Sequence, residues 1–194
     1  MRTRREFLLL GGGLLADARR PPNFVIILTD DQGYADLGSY GAEGFSTPRL
    51  DRMAAEGVRF TEFYSAPICT PARAALLTGC YPIRVGLTRV LGVGARNGIS
   101  AAEKLIPEVL HEIGYRTAIF GKWHLGREEK FLPLQHGFDE FFGTPGSNDM
   151  GSNMDLAARR AGKAGVELME GNKVVELDPD QSLFTRRYTE RAVD

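Results

Sequence analysis

The chain has 194 residues, 43% of them hydrophobic and 25% charged, which excludes a disordered or fibrous protein and fits one globular domain of moderate size. Its formal net charge of −1 gives no global electrostatic case for nucleic-acid binding. The 23 glycines and 10 prolines predict many turns and loops, where binding and catalytic groups concentrate.

In chain order, Arg4-Arg5 precede the nine-residue stretch Phe7 to Leu15, which contains three glycines. This stretch is shorter than the roughly 20 apolar residues that a bilayer span needs, so no stable membrane anchor is expected. Ala16-Asp17-Ala18 follows as an A-x-A cleavage site. Residues 1–18 therefore resemble a twin-arginine export signal, which would send the mature protein to the periplasm or outside the cell.

Asn23 to Thr29 is a continuous apolar run rich in β-branched residues and predicts a buried strand. It ends in the polar loop Asp30-Asp31-Gln32-Gly33, at the strand end where open α/β sheets bind ligands. Thr47 and Pro48 predict an N-cap and first turn, with the helix closed by Gly57. Alternation over Val58 to Tyr64 predicts a second strand. Pro71 to Thr78 predicts a short helix, Lys104 to Ile113 an amphipathic helix ended by Gly114, and Tyr115 to Phe120 a strand. From Glu128 to Ser152 the signals are those of loops, and Leu183 to Val193 predicts a last helix. The element order argues for α/β layering.

The chemistry-bearing segment is Cys69-Thr70-Pro71-Ala72-Arg73, followed by Leu77-Thr78-Gly79. It resembles the sulfatase signature C-x-P-x-R-x-x-x-L-T-G, in which the cysteine becomes formylglycine. Cys80 stands where that family commonly has a basic residue, and it leaves two thiols that could pair or remain free. Other landmarks follow the same order: Asn23 to Gly33, Tyr34 to Gly41, Gly121-Lys122-Trp123-His124-Leu125-Gly126, and Gln135 to Gly143. The resemblance runs from about Asn23 to Asn153 and is similar to arylsulfatase A-type and galactosamine-6-sulfatase-type members.

The resemblance implies an alkaline phosphatase-like α/β/α sandwich with a mixed sheet, of which residues 21–194 would be the N-terminal part of the catalytic domain, truncated. It implies a sulfuric-ester hydrolase acting on an aryl or carbohydrate sulfate, with a formylglycine-generating enzyme as partner. Asp30 and Asp31 are adjacent carboxylates suited to Ca²⁺ or Mg²⁺; a divalent cation relieves their repulsion. With the residue made from Cys69 they form the implied metal site. A formylglycine hydrate offers that metal oxygen where a thiol would be a poor match. In the family, one hydroxyl of the hydrate attacks sulfur and the other later expels sulfate, which divides one hard step into two.

Arg73, one helical turn after Cys69, can face the same site and by resemblance holds the formylglycine hydroxyl. Lys122 is a cation able to hold a sulfate oxygen. His124, two residues on, shares its face if the segment is extended and suits proton transfer. Trp123 between them is expected to point into the core. Ser147 occupies the loop place of a sulfate-touching polar residue. His111 and His136 read as a helix-surface and a loop residue.

The family completes its site with an Asp-Asn pair, a lysine and a histidine late in the chain, and no clear counterparts follow Asn153. The expectation is a fragment or truncated product, or a chain completed by another. Two alternatives stay open: a phosphonate or phosphate monoester hydrolase of the same superfamily, and a non-catalytic remnant.

Overall fold

The computed structural model describes residues 21–151 and 165–194; the expected export signal lies outside them. The chain divides into two compact units, one up to Arg59 and one from Phe60 onward.

In the first unit, short turns at Tyr34–Asp36 and Gly38–Tyr40 precede helix α1, Pro48–Glu56. Proline opens α1, as expected, because the first helical N–H has no partner to lose. Thr47 stands at the N-cap position but does not cap. Its hydroxyl accepts the Gly38 amide at 2.9 Å and donates to Asp51 at 3.0 Å. The same carboxylate accepts the Ser39 amide at 2.6 Å, so Asp51 ties the turn to the helix.

The expected strand Asn23 to Thr29 does not form. Val25 and Ile27 are among its most exposed side chains, at 84% and 75%. A strand exists only as a rung in a ladder, and among the described residues this segment has no neighbour strand. The expected strand Val58 to Tyr64 is likewise irregular and exposed.

The second unit holds helices α2 (Cys69–Thr78), α3 (Ile106–Glu112) and α4 (Phe184–Val193) and strands β1 (Ala118–Lys122), β2 (Glu140–Thr144), β3 (Glu167–Glu170) and β4 (Lys173–Leu177). Helix α2 starts two residues before the expected Pro71 and stops at Gly79, which takes the left-handed φ of 65°. The Glu108 carboxylate accepts the Leu105 amide at 2.8 Å and so closes the start of α3.

The sheet order is β1-β2-β3-β4. Strands β1 and β2 run parallel, and the β2–β3 and β3–β4 pairs are antiparallel, so the sheet is mixed. Strand β2 falls inside the segment read as loop. Its Phe141-Phe142-Gly143 is a short apolar run between glycines, and only pairing with β1 marks it as a strand. The β3–β4 hairpin turns at Gly171-Asn172; Gly171 supplies the positive φ of 57° that such a turn requires.

Helix α4 packs across β1 and β2. There Tyr188 meets Phe142 edge-on, and the Arg191 guanidinium lies 4.7 Å from the Phe142 ring centre. The core gathers Ala74 of α2, Leu91, Ile99, Leu105, Trp123 and Phe141. Trp123 is buried as expected, with Nε1 donating to the Phe131 carbonyl at 2.8 Å.

Candidate functional site

Strands β1 and β2 end side by side, with Lys122 in register with Thr144. Beyond them the chains stay joined: the Trp123 amide donates to the Thr144 carbonyl at 2.9 Å and the His124 amide to the Pro145 carbonyl at 3.2 Å. These are the C-terminal ends of two parallel strands, where α/β sheets bind ligands. The arrangement brings Ser147, buried just after β2, to the same edge as Lys122 and His124.

The N-terminal turn of α2 docks on that edge through two contacts. Arg73 Nη1 donates to the Lys122 carbonyl at 2.5 Å, and Thr70 Oγ1 donates to the His124 carbonyl at 3.0 Å. Arg73 is nearly enclosed, at 9% exposure. Cys69, the first residue of α2, is half-buried. Sequence positions 69–73 and 122–124, about 50 residues apart, thus meet in one place.

His124 does not follow from strand alternation. Its backbone takes φ +58°, a left-handed conformation uncommon outside glycine that costs on the order of 1–3 kcal/mol and tends to persist at functional sites. The assumption of an extended segment through Lys122 and His124 therefore fails at the second residue. The ring is buried at 1% exposure, with Nε2 2.9 Å from the Leu91 carbonyl oxygen. Nδ1 is also buried and has no hydrogen-bond partner among the described residues. Burial holds the imidazole pKa below its ordinary value; the Lys122 and Arg73 cations push the same way, and the Leu91 bond and Asp149 oppose them.

Both cysteines are free thiols. The length of α2 from Cys69 to Thr78, followed by Gly79, separates them, which is on the order of 15 Å along the helix axis, far beyond the roughly 7 Å between Cα atoms that a disulfide tolerates. Cys80 packs against the core. His111 lies on the surface of α3 as expected, with Nε2 3.0 Å from Asp139. His136 corrects its reading as a loop residue: it ends the short helical turn Pro133–His136, buried and tilted against the Trp123 ring.

Asp30 and Asp31 lie in the first unit, and both are exposed. Asp31 adopts φ +57°. Two consecutive carboxylates are the donor type that a hard cation takes. Among the described residues, no group of three or more His, Cys, Asp or Glu could hold a metal. The pair fits Ca²⁺ or Mg²⁺ in chemistry and supplies only part of a ligand set.

A family model described as Sulfatase matches residues 22–186. The chain belongs to the sulfatase family. It is 53% identical over 144 residues to N-acetylgalactosamine-6-sulfatase of Rattus norvegicus, covering 69% of this chain and 27% of that protein. It is 48% identical over 157 residues to arylsulfatase A of Homo sapiens, covering 79% and 31%. Among solved structures, the PsFucS1 sulfatase from Pseudoalteromonas sp. superimposes with a TM-score of 0.75 at 29% identity, over 100% of this chain and 44% of that one. BT4656, solved with its substrate D-glucosamine-2-N,6-O-disulfate, gives 0.68 at 27% identity, over 90% and 31%. The chain thus spans about three-tenths of the curated sulfatases it matches. Its mixed sheet with flanking helices is the N-terminal portion of the alkaline phosphatase-like sulfatase fold.

Within this sulfatase segment, sequence reasoning passed over two residues that shape the site. Thr70 occupies a variable place in the first signature, yet it is fully buried and bonded on both sides. Arg127 pairs with Glu167 of β3 at 2.7 Å, and its guanidinium lies where a Cβ on Gly146 would meet it at 3.2 Å. It braces the loop that carries Ser147. No local signal could reveal a partner 40 residues away.

Proposed function

We propose that this chain carries the nucleophile side of a sulfuric-ester hydrolase acting on an aryl or carbohydrate sulfate, with formylglycine made from Cys69 by a formylglycine-generating enzyme. The observation that carries this reading is the docking of the α2 N-terminus, with Cys69, on the strand ends bearing Lys122, His124 and Ser147. The hydrated aldehyde supplies a nucleophilic oxygen that a thiol lacks. Arg73 orients that oxygen, because its guanidinium is already held at the strand end. Lys122 offsets the charge that gathers on sulfate oxygens. Ser147 donates to one of them, and His124, neutral at pH 7 because it is buried, moves the proton. The positive end of α2 favours an anion at the same point.

Asp30 and Asp31 would hold a Ca²⁺ or Mg²⁺ ion, which supplies positive charge for polarising a sulfate oxygen. Sulfated substrates in the relatives' names support the substrate class. The Arg4-Arg5 segment supports export by the twin-arginine route. No helix among the described residues is long and apolar enough to cross a membrane.

The test is peptide mass analysis at Cys69 after co-expression with a formylglycine-generating enzyme, followed by sulfate-ester assays of an active full-length protein and its Cys69→Ala variant. Conversion to the aldehyde, with turnover lost in the variant, supports the reading. An unconverted thiol, or turnover retained in Cys69→Ala, rejects it.

A further inference from the structure

We propose that Thr70 is a positioning residue that selects which ring nitrogen of His124 faces the reacting atoms, presenting Nδ1 as a lone pair. The proposal rests on the reading of His124 as the proton-transfer group. A carbonyl oxygen can only accept, so the nitrogen 2.9 Å from the Leu91 carbonyl, Nε2, is the one that carries hydrogen. Neutral imidazole has a single N–H, and the remaining nitrogen is therefore a lone pair. That nitrogen, Nδ1, is the buried atom with no partner among the described residues.

Leu91 is held in its turn. Its amide donates to Thr70 Oγ1 at 3.3 Å, and the Thr70 hydroxyl donates to the His124 carbonyl at 3.0 Å. Three residues distant in sequence close a ring of three hydrogen bonds, and every direction in it is forced. The amide must donate, both carbonyls must accept, and the hydroxyl has one proton to give and lone pairs to receive. One buried hydroxyl thus fixes the left-handed backbone of His124 and also the carbonyl that chooses its tautomer.

When Nδ1 takes a proton from a hydroxyl, the O–H bond breaks with its electron pair left on oxygen, and a new N–H bond forms from the Nδ1 lone pair. The imidazolium keeps its Nε2–H bond to Leu91 and does not have to rotate. Second-layer hydrogen bonds commonly set the roles of the two ring nitrogens in this way.

With three histidines in the chain, ¹⁵N-histidine labelling and NMR resolve the tautomer directly. The expected result is the Nε2–H tautomer of His124 in the wild type and in Thr70→Ser, and a mixture of tautomers in Thr70→Val, which keeps the shape and loses the hydroxyl. The Nε1 resonance of the single tryptophan, bonded to Phe131, reports that each variant is folded. An Nδ1–H tautomer or a mixture in the wild type overturns the proposal, as does an unchanged Nε2–H tautomer in folded Thr70→Val. If Thr70→Val does not fold, the wild type decides. A slowly exchanging Thr70 hydroxyl proton coupled to the His124 carbonyl supports the proposal, and one exchanging at the solvent rate overturns it.

In an active full-length protein normalised to its formylglycine content, Thr70→Val should lower kcat about tenfold or more with KM nearly unchanged, and Thr70→Ser should restore it. A raised KM with unchanged kcat would count against the assignment. The tautomer is read without turnover, so failure of the sulfatase reading and failure of this proposal are separable.

Discussion

Gly121 and Gly143 face each other across the β1–β2 ladder so closely that a Cβ on Gly143 would lie 1.8 Å from the Gly121 carbonyl oxygen. Gly121 also takes φ +115°, a backbone open to glycine and to little else. Because the atom in the way is backbone, no side chain can swing aside. The strand ends that carry Lys122 and His124 on one side and Ser147 on the other are spaced by this contact. Gly143→Ala should therefore destabilise the protein by about 3 kcal/mol, at the upper end of overpacking costs. Urea denaturation should show a lowered midpoint, and an unchanged midpoint would mean that the strands separate without cost.

Arg73 gives a second prediction. Its bond to the Lys122 carbonyl is made from a nearly enclosed position, and removing the donor breaks that charge-assisted bond. Arg73→Met, close in length and without charge, should cost about 2 kcal/mol. Arg73→Lys should recover only part of this, because a single ammonium cannot present the planar fork of a guanidinium. Equal stabilities for Arg73→Lys and the wild type, measured by denaturant titration, would show that charge alone matters there.

The buried histidines make stability depend on pH, and the sign is definite. His124 and His136 both have pKa values lowered from 6.5, each chiefly by burial. Their unfolded forms bind protons first as the pH falls, so protonation favours the unfolded chain. Stability is fully present above about pH 6.5 and should decline as the pH drops from there through the lowered folded values. Denaturation midpoints at neutral and mildly acid pH test this. His136→Phe should flatten part of the slope, and an identical slope in the variant would assign the effect elsewhere.

The two thiols should remain unpaired. Alkylation of the unmodified protein should label both Cys69 and Cys80 after unfolding, with or without reductant, and the intact mass should not change on reduction. A mass change on reduction would mean that the α2 turn can open far enough to join its two ends.

Local chemistry made the helices legible in the sequence. Pro48 and Gly57 bracket α1, Gly114 ends α3 closely, and α4 begins one residue from its expected start. Helices close their hydrogen bonds within four residues, so their signals lie within a short window. The two signature segments, with Cys69, Arg73, Lys122 and His124, were legible for the same reason: a motif is a local pattern.

Strands depend on partners elsewhere: the strand expected over Tyr115 to Phe120 forms, shifted a little along the chain, as β1 at Ala118–Lys122, but the other strand readings failed in both directions. Asn23 to Thr29 has every strand signal and forms none among the described residues, whereas Glu140–Thr144 lies in a glycine-rich stretch and becomes β2 by pairing with β1. Tertiary structure also decided the orientation of His124, because one residue at φ +58° breaks the two-residue alternation on which a sequence argument relies. By itself the sequence determined which chemical groups are available and where its helices lie. Which groups meet was decided by contacts between segments some 50 residues apart, since hydrogen bonds across that separation leave no periodic trace in the chain.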